Sequence, residues 1–134
     1  MKTKHKELVD LAIQVSKNAY APYSKFVVGC IIVSEFGNIY SGCNVENVSF
    51  GLTNCAERTA VFKGVSEEGD EFRIERVVIY TPTEVPITPC GACRQVLREF
   101  GDDFEVISVC RGSEEIRMYI NDLLPNSPDI RIKR

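Results

Sequence analysis

Apolar residues near the start of the chain recur at helical spacing. Leu8, Leu11, Ala12, Val15 and Ala19 fall on one face and predict an amphipathic helix over residues 4–19. Ala21-Pro22-Tyr23 stops it, because the residue before a proline is pushed out of the helical region. The pattern then changes. Residues 26–34 are rich in Val and Ile and read as a strand, Gly37-Asn38 as a turn, and residues 39–43 as the returning arm of a hairpin. Residues 44–53 carry Asn44, Asn47, Ser49, Gly51 and Thr53 and read as a loop. A second helix is expected over residues 55–65, with Asn54 as its cap and Gly64 and Gly69 marking its exit. An apolar strand follows at 76–81, and Pro82, Pro86 and Pro89 hold a loop open after it. Residues 91–100 read as a helix stopped by Gly101, 104–110 as a buried strand, 115–119 as a short strand, and 120–124 as a short helix ended by Pro125.

A hairpin followed by strands alternating with helices implies one mixed sheet with helices on both faces. The length, 134 residues, fits a single domain spanning residues 1–134. The hydrophobic fraction of 44% and charged fraction of 26% exclude a disordered chain, a collagen-like chain and a coiled coil. No run of 18 apolar residues occurs, so no transmembrane helix and no membrane partner are expected. Net charge is −3, whereas a domain that grips a phosphate backbone is usually basic, so nucleic acid is not the expected partner. The short basic ends, residues 2–6 and 131–134, read as solvated termini. Lys2, Lys4 and Lys6 mimic the start of a signal peptide, but Glu7 and Asp10 break the apolar stretch that should follow. A cytoplasmic location is therefore expected. Structural disulfides are rare in that reducing compartment, so the six cysteines point to metal binding or catalysis, or to small buried hydrophobes.

Pro89-Cys90-Gly91-Ala92-Cys93 opens one predicted helix and Cys55-Ala56-Glu57 opens another. Two thiolates three residues apart on one helical turn can share a metal ion, and a third from a neighbouring helix makes three ligands. Zinc (Zn2+) with three protein ligands keeps a fourth position for water, the catalytic arrangement. The positive ends of the two helices favour thiolate over thiol. Three thiolates on a dication leave an excess negative charge, and Arg58 is expected to offset it by hydrogen-bonding ligand sulfurs. Glu57, beside the metal without ligating it, is positioned to take a proton from water and hand it to a substrate nitrogen. Two other readings stand beside this one. Glu57 can be a helix-start glutamate favoured by the dipole alone. Cys43 or Cys110 can supply a fourth thiolate and close the metal sphere, giving a structural zinc module that binds protein partners. Cys30, Cys43 and Cys110 otherwise read as small buried hydrophobes in apolar strands. His5, the single histidine, lies on a charged stretch and is not expected to be a ligand.

Four segments together resemble a known family: Ala19-Tyr20-Ala21-Pro22-Tyr23-Ser24-Lys25-Phe26, Gly42-Cys43-Asn44-Val45-Glu46-Asn47, Cys55-Ala56-Glu57-Arg58-Thr59-Ala60 and Pro89-Cys90-Gly91-Ala92-Cys93-Arg94-Gln95-Val96-Leu97. They look like the small zinc-dependent cytidine deaminases of the three-cysteine class, whose signature includes a glutamate that is not a ligand. The likeness runs from about residue 7 to Pro125. It implies a three-layer α/β/α cytidine deaminase-like fold with a mixed five-stranded sheet. It also implies hydrolysis of cytidine and deoxycytidine to uridine and deoxyuridine with release of ammonia, in pyrimidine salvage. The implied assembly is a homotetramer with pockets completed by neighbouring subunits. By motif position, Asn44 and Glu46 match residues that hydrogen-bond the ribose 3′-hydroxyl. Phe26 matches the aromatic packed on the pyrimidine, Ala56 and Glu57 match the pair that reads the base edge, and Val48-Ser49-Phe50 matches a loop that reaches a neighbour's site. Read without the family, Asn44 and Glu46 are turn residues and Phe26 is core. The chain departs from the family where Pro128 replaces an expected aromatic, Phe50 a tyrosine and Cys30 an alanine. These departures leave a second substrate class open, another aminopyrimidine nucleoside of the blasticidin type.

Overall fold

The structure, a computed structural model, describes residues 3–128. The tail at 129–134 and the first two residues, with most of the basic ends, lie outside the described residues. In chain order the elements are α1 (His5–Ser16), β1 (Gly29–Ser34), β2 (Ile39–Cys43), α2 (Ala56–Glu68), β3 (Ile74–Tyr80), α3 (Gly91–Arg98), β4 (Glu105–Val109), β5 (Glu115–Tyr119) and α4 (Ile120–Leu123). Single 3₁₀ turns at Phe50–Leu52 and Gly69–Glu71 flank α2.

The five strands form one sheet in the order β2-β1-β3-β4-β5. Only β3 and β4 run parallel, with Val77 opposite Val106 and Ile79 opposite Ser108. That pairing needs a crossover, and α3 supplies it. The other neighbours are antiparallel. Side chains alternate across the sheet, so each strand feeds two cores. Ile31, Val78, Ile107 and Val109 meet Leu8 and Ala12 of α1 on one face. Cys30, Ile32, Val77, Ile79 and Val106 meet Ala60 and Val61 of α2, Leu97 of α3 and Ile120 of α4 on the other. Three layers result, matching the fold class that the family resemblance implies.

The second core sets α2 very close to the sheet. A Cβ on Gly42 of β2 would lie 2.5 Å from the Ala56 carbonyl oxygen and 2.5 Å from the Ala60 nitrogen. Ala56 is the first residue of α2, so Gly42 fixes how near the start of that helix comes to the strand.

Several boundaries differ from the sequence reading, each for a tertiary reason. α1 stops at Ser16, not residue 19, and Tyr20 instead pairs with Val45, its N–H donating to the Asn44 carbonyl at 3.0 Å. β1 begins at Gly29, not residue 26, because the Asn44 side chain takes the backbone groups that a strand partner would use. Val28 N–H donates to Asn44 Oδ1 at 2.9 Å, and Asn44 Nδ2 donates to the Phe26 carbonyl at 2.7 Å. Asn54 does not cap α2. The capping position belongs to Cys55, and Asn54 Nδ2 donates to Thr59 Oγ1 at 3.2 Å. α2 passes through Gly64, which lies against the Phe72 ring, and ends at Gly69, whose φ of 74° few other residues adopt. β3 starts two residues early, where Ile74 pairs with Ser34. α3 ends at Arg98. Cys110 falls just beyond β4, its thiol facing the carbonyls of Glu84 and Glu114 at 3.5 Å, and Cys43 is half-buried.

Candidate metal centre and active site

Two helices begin at one place. Cys55 and Cys90 hold equivalent positions, each the extended residue just before its helix, with φ −77°, ψ 158° and φ −65°, ψ 166°. Cys93 follows within the first turn of α3. The three sulfurs lie within 4.8 Å of one another. The N-terminal ends of both helices lie at this place, and their partial positive charge suits sulfur anions.

Arg58, in the first turn of α2, donates from Nη2 to Cys55 Sγ at 3.3 Å. Hydrogen bonds from the Cys93 thiol and from Arg58 hold Cys55 down to about 5, against the effect of burial. Cys93 moves the other way, because it donates to the Cys55 sulfur, is buried, and faces Glu57. Three sulfurs this close cannot all ionise unless a cation joins them. Three soft donors with room for a fourth ligand fit zinc. Among the described residues no fourth cysteine joins the cluster, and Cys110 is engaged elsewhere. The closed four-cysteine reading is therefore not supported.

Glu57 is 6% exposed and sits one residue into α2, above the cysteines. Burial pushes its carboxyl up to about 7; its own backbone N–H works against the shift, while the charge of Cys55 adds to it. A carboxyl so placed changes protonation state easily near neutral pH, as a proton carrier must.

A cleft of about 350 Å³ opens over these groups. Cys55, Ala56, Glu57 and Cys90 form its floor, and Phe26, Asn44 and Glu46 stand on its wall. Phe26, Asn44, Glu46, Cys55, Ala56, Glu57 and Cys90, singled out from the sequence, thus share one cavity, while Cys93 and Arg58 join it only through their contacts with the other sulfurs. Phe26 is partly exposed there and is not part of either core cluster. Asn44 and Glu46 do more than turn residues do. Asn44 is buried and ties the segment before β1 to the end of β2. Glu46 accepts from the N–H groups of Tyr23 at 3.0 Å and Ser24 at 3.1 Å and from the Ser24 hydroxyl, and these bonds hold its carboxyl below the usual range. Both side chains brace the wall as well as face the cavity.

Other cleft residues escaped the sequence reading. Ile79, Thr81, Ile87 and Thr88 line the cavity from β3 and the proline-rich loop, and Thr53 from the loop before α2. Nothing in an apolar strand end or a lone threonine marks it as cavity lining. Ser24 had a local signal in hindsight. Its hydroxyl accepts from Phe26 N–H at 3.0 Å around Lys25, whose φ of 62° is unusual for a residue with a side chain. His5 lies far from the site in sequence terms, paired with Glu115 at 3.0 Å across α1 and β5.

Comparison with known proteins agrees with this geometry. Residues 2–109 match the family model of the cytidine and deoxycytidylate deaminase zinc-binding region. A cytidine deaminase of Sporosarcina psychrophila is 50% identical over 94 residues, covering 70% of this chain and 68% of the relative. A cytidine deaminase of Halalkalibacterium halodurans is 47% identical over 92 residues, covering 69% and 68%. The crystal structure of cytidine deaminase from Burkholderia pseudomallei superimposes with a TM-score of 0.87 at 40% identity, over 93% of this chain and 99% of that one. With three sulfurs at two helix starts, a buried glutamate above them and this similarity along the chain, the protein belongs to the zinc-binding cytidine and deoxycytidylate deaminase family.

Proposed function

We propose that the protein hydrolyses cytidine and deoxycytidine to uridine and deoxyuridine, releasing ammonia, on a single domain. The observation that carries the reading is the buried Glu57 carboxyl over the Cys55–Cys90–Cys93 cluster, at the floor of a cleft of nucleoside size. Cys55, Cys90 and Cys93 would hold the zinc ion. Bound there, the ion supplies a Lewis acid that acidifies a water molecule and stabilises developing negative charge on oxygen. Arg58 offsets the excess charge of three thiolates through its bond to Cys55. Glu57 takes a proton from the attacking water and delivers it to the ring nitrogen beside the amino-bearing carbon. A second transfer through Glu57 carries the proton of the newly added hydroxyl to the exocyclic nitrogen; the bond from that nitrogen to the ring carbon breaks, the carbonyl forms, and ammonia leaves. The backbone at Ala56 and the Glu57 carboxyl face the base edge, Phe26 packs on the ring, and Asn44 and Glu46 hold the ribose hydroxyl with the donor and acceptor sites their wall contacts leave free.

The chain is proposed to act as a cytoplasmic homotetramer in pyrimidine salvage. Val48, Phe50 and Leu52 are 78%, 74% and 71% exposed on one loop, an apolar surface suited to a second copy. All six cysteines are free thiols, in keeping with a reducing compartment. No helix among the described residues is long and apolar enough to cross a membrane.

The test is ammonia release from cytidine and deoxycytidine by the zinc-loaded protein, with Glu57→Ala as the blank. Release by the wild type alone supports the reading. Silence on both nucleosides, with release from another aminopyrimidine nucleoside, would transfer the chemistry to that substrate class.

A further inference from the structure

The loop that carries Cys90 ties down its first half, where Thr83 Oγ1 donates to the Val85 carbonyl at 2.7 Å and Arg111 N–H to the Thr83 carbonyl at 2.9 Å, but its second half is short of backbone donors. Pro82, Pro86 and Pro89 lack the N–H groups by which a backbone segment ties itself down. The segment nevertheless builds one side of the cleft, with Thr88, Pro89 and Cys90 in its lining. Arg94 supplies what the prolines lack. Its side chain leans back towards the start of α3, as helical side chains do, and reaches residues five and six positions earlier. Nε donates to the Pro89 carbonyl at 2.7 Å and Nη2 to Thr88 Oγ1 at 2.9 Å. Nη1 turns outward and donates to the Leu123 carbonyl at 2.8 Å. Leu123 is the last residue of α4, where helical carbonyls have no partner within the helix. One half-buried guanidinium thus joins the metal-binding loop, the helix behind it and the end of α4.

We infer that Arg94 is a positioning residue that sets Cys90 and the Thr88–Pro89 wall of the cleft, and that it does so through the fork geometry of its guanidinium. It touches neither Glu57 nor the reacting atoms. It acts on metal retention, through the carbonyl next to Cys90, and on substrate fit, through Thr88. Lysine keeps the charge but cannot meet three acceptors arranged around a planar fork. The inference rests on the reading of the cluster as a zinc site with the cleft as its substrate pocket.

The experiment compares the full-length wild type with Arg94→Lys and Arg94→Met, each loaded with zinc and, separately, with cobalt(II). Metal affinity is read by competition with a chromophoric chelator, and the geometry at Cys90 by the thiolate–cobalt absorption bands. KM and kcat for cytidine are measured at saturating zinc. Expected for Arg94→Met is an affinity loss of about 10–100-fold, the usual effect of removing a group that orients a metal ligand. Shifted cobalt bands and a raised KM with kcat near wild type should accompany it, with Arg94→Lys intermediate. If Arg94→Met does not fold, Arg94→Lys carries the test, because its charge and length are close to native. A folded variant with wild-type affinity and cobalt bands would overturn the inference. So would a fall in kcat at unchanged KM, which would put Arg94 in the chemistry. A wild type that binds cobalt through thiolates yet releases no ammonia from cytidine would refute the substrate reading, while the metal measurements still decide the role of Arg94.

Discussion

Five positions at two helix starts, Cys55, Glu57 and Arg58 at α2 and Cys90 and Cys93 at α3, make up the cluster. Among the described residues, Glu57 is the buried carboxyl beside the cysteines, and burial pushes it up to about 7. Glu57→Ala is expected to keep one zinc per chain, measured by metal analysis, while turnover falls by about 10²–10⁴-fold, the range for losing a general acid–base group. Retention of most activity would end its assignment. Metal content should stay unchanged because the ligands are sulfurs and the carboxylate is not among them. The cluster also explains why Cys55 and Cys93 are pushed in opposite directions despite sharing one place. Hydrogen bonds from the Cys93 thiol and from Arg58 favour negative charge on Cys55, whereas the hydrogen bond it donates to Cys55, burial and the charges of Glu57 and Cys55 oppose it on Cys93.

Among the elements, α2 matters most, since Cys55 caps its start and Glu57 and Arg58 lie in its first turn. Two contacts fix it against the β1–β2 hairpin, one at each end. At its start, Gly42 leaves no room for a side chain. Gly42→Ala should cost about 1–3 kcal/mol of stability by overpacking. It should also reduce activity beyond what that loss explains, because the helix start must move; urea unfolding with parallel assays on folded protein separates the two effects. At its other end, Glu68 Oε2 accepts from Ser34 Oγ at 2.7 Å, Asn38 Nδ2 at 2.9 Å and Tyr40 Oη at 2.8 Å. Burial alone would raise the Glu68 carboxyl, but these donors outweigh it and lower it. A carboxylate lowered in the folded state contributes stability that is complete above its unfolded value, about 4.3, and is lost as pH falls through the lower folded value. Glu68→Gln should therefore destabilise the protein near neutral pH by about 1–3 kcal/mol. The gap between variant and wild type should close in strongly acidic solution. A gap of constant size across pH would show that the charge is not what ties the hairpin to α2.

At the scale of the whole molecule, the loop holding Val48, Phe50 and Leu52 is the least satisfied surface. Phe50 meets Tyr23 edge-on, with ring centroids 6.0 Å apart. Exposed apolar side chains grouped this way mark an interface, and a stable one buries roughly 1,000 Å² or more. Sedimentation of the native protein is expected to give the mass of four chains. Phe50→Asp with Leu52→Asp should shift it to smaller species, and activity should fall with it if each pocket needs a neighbour. Loss of the assembly with full activity would show that one chain completes its own cleft.

Reading periodicity together with turn, cap and breaker residues located every strand and α-helix named above, and β5 emerged with the same limits, Glu115–Tyr119. It succeeded because a half-buried strand and an amphipathic helix write their burial directly into the order of side chains. Motif spacing likewise brought out Cys90 and Cys93, since residues three apart on one helical turn are neighbours whatever the fold, and the Cys-x-Glu pattern at a second helix start added Cys55 and Glu57. What spacing could not reach was decided between segments far apart in the chain. Asn44 intercepts the backbone of residues 26–28 and delays β1, Tyr20 leaves α1 to pair with Val45, and Arg94 turns back to bind the proline loop and α4. The threonines and isoleucines of the cleft become lining only where β3, α2 and that loop meet. The physical reason is common to all of these cases. Local sequence sets the periodic burial and turn preferences of each element, but a hydrogen bond between distant segments depends on where the packed sheet and helices bring its donor and acceptor together.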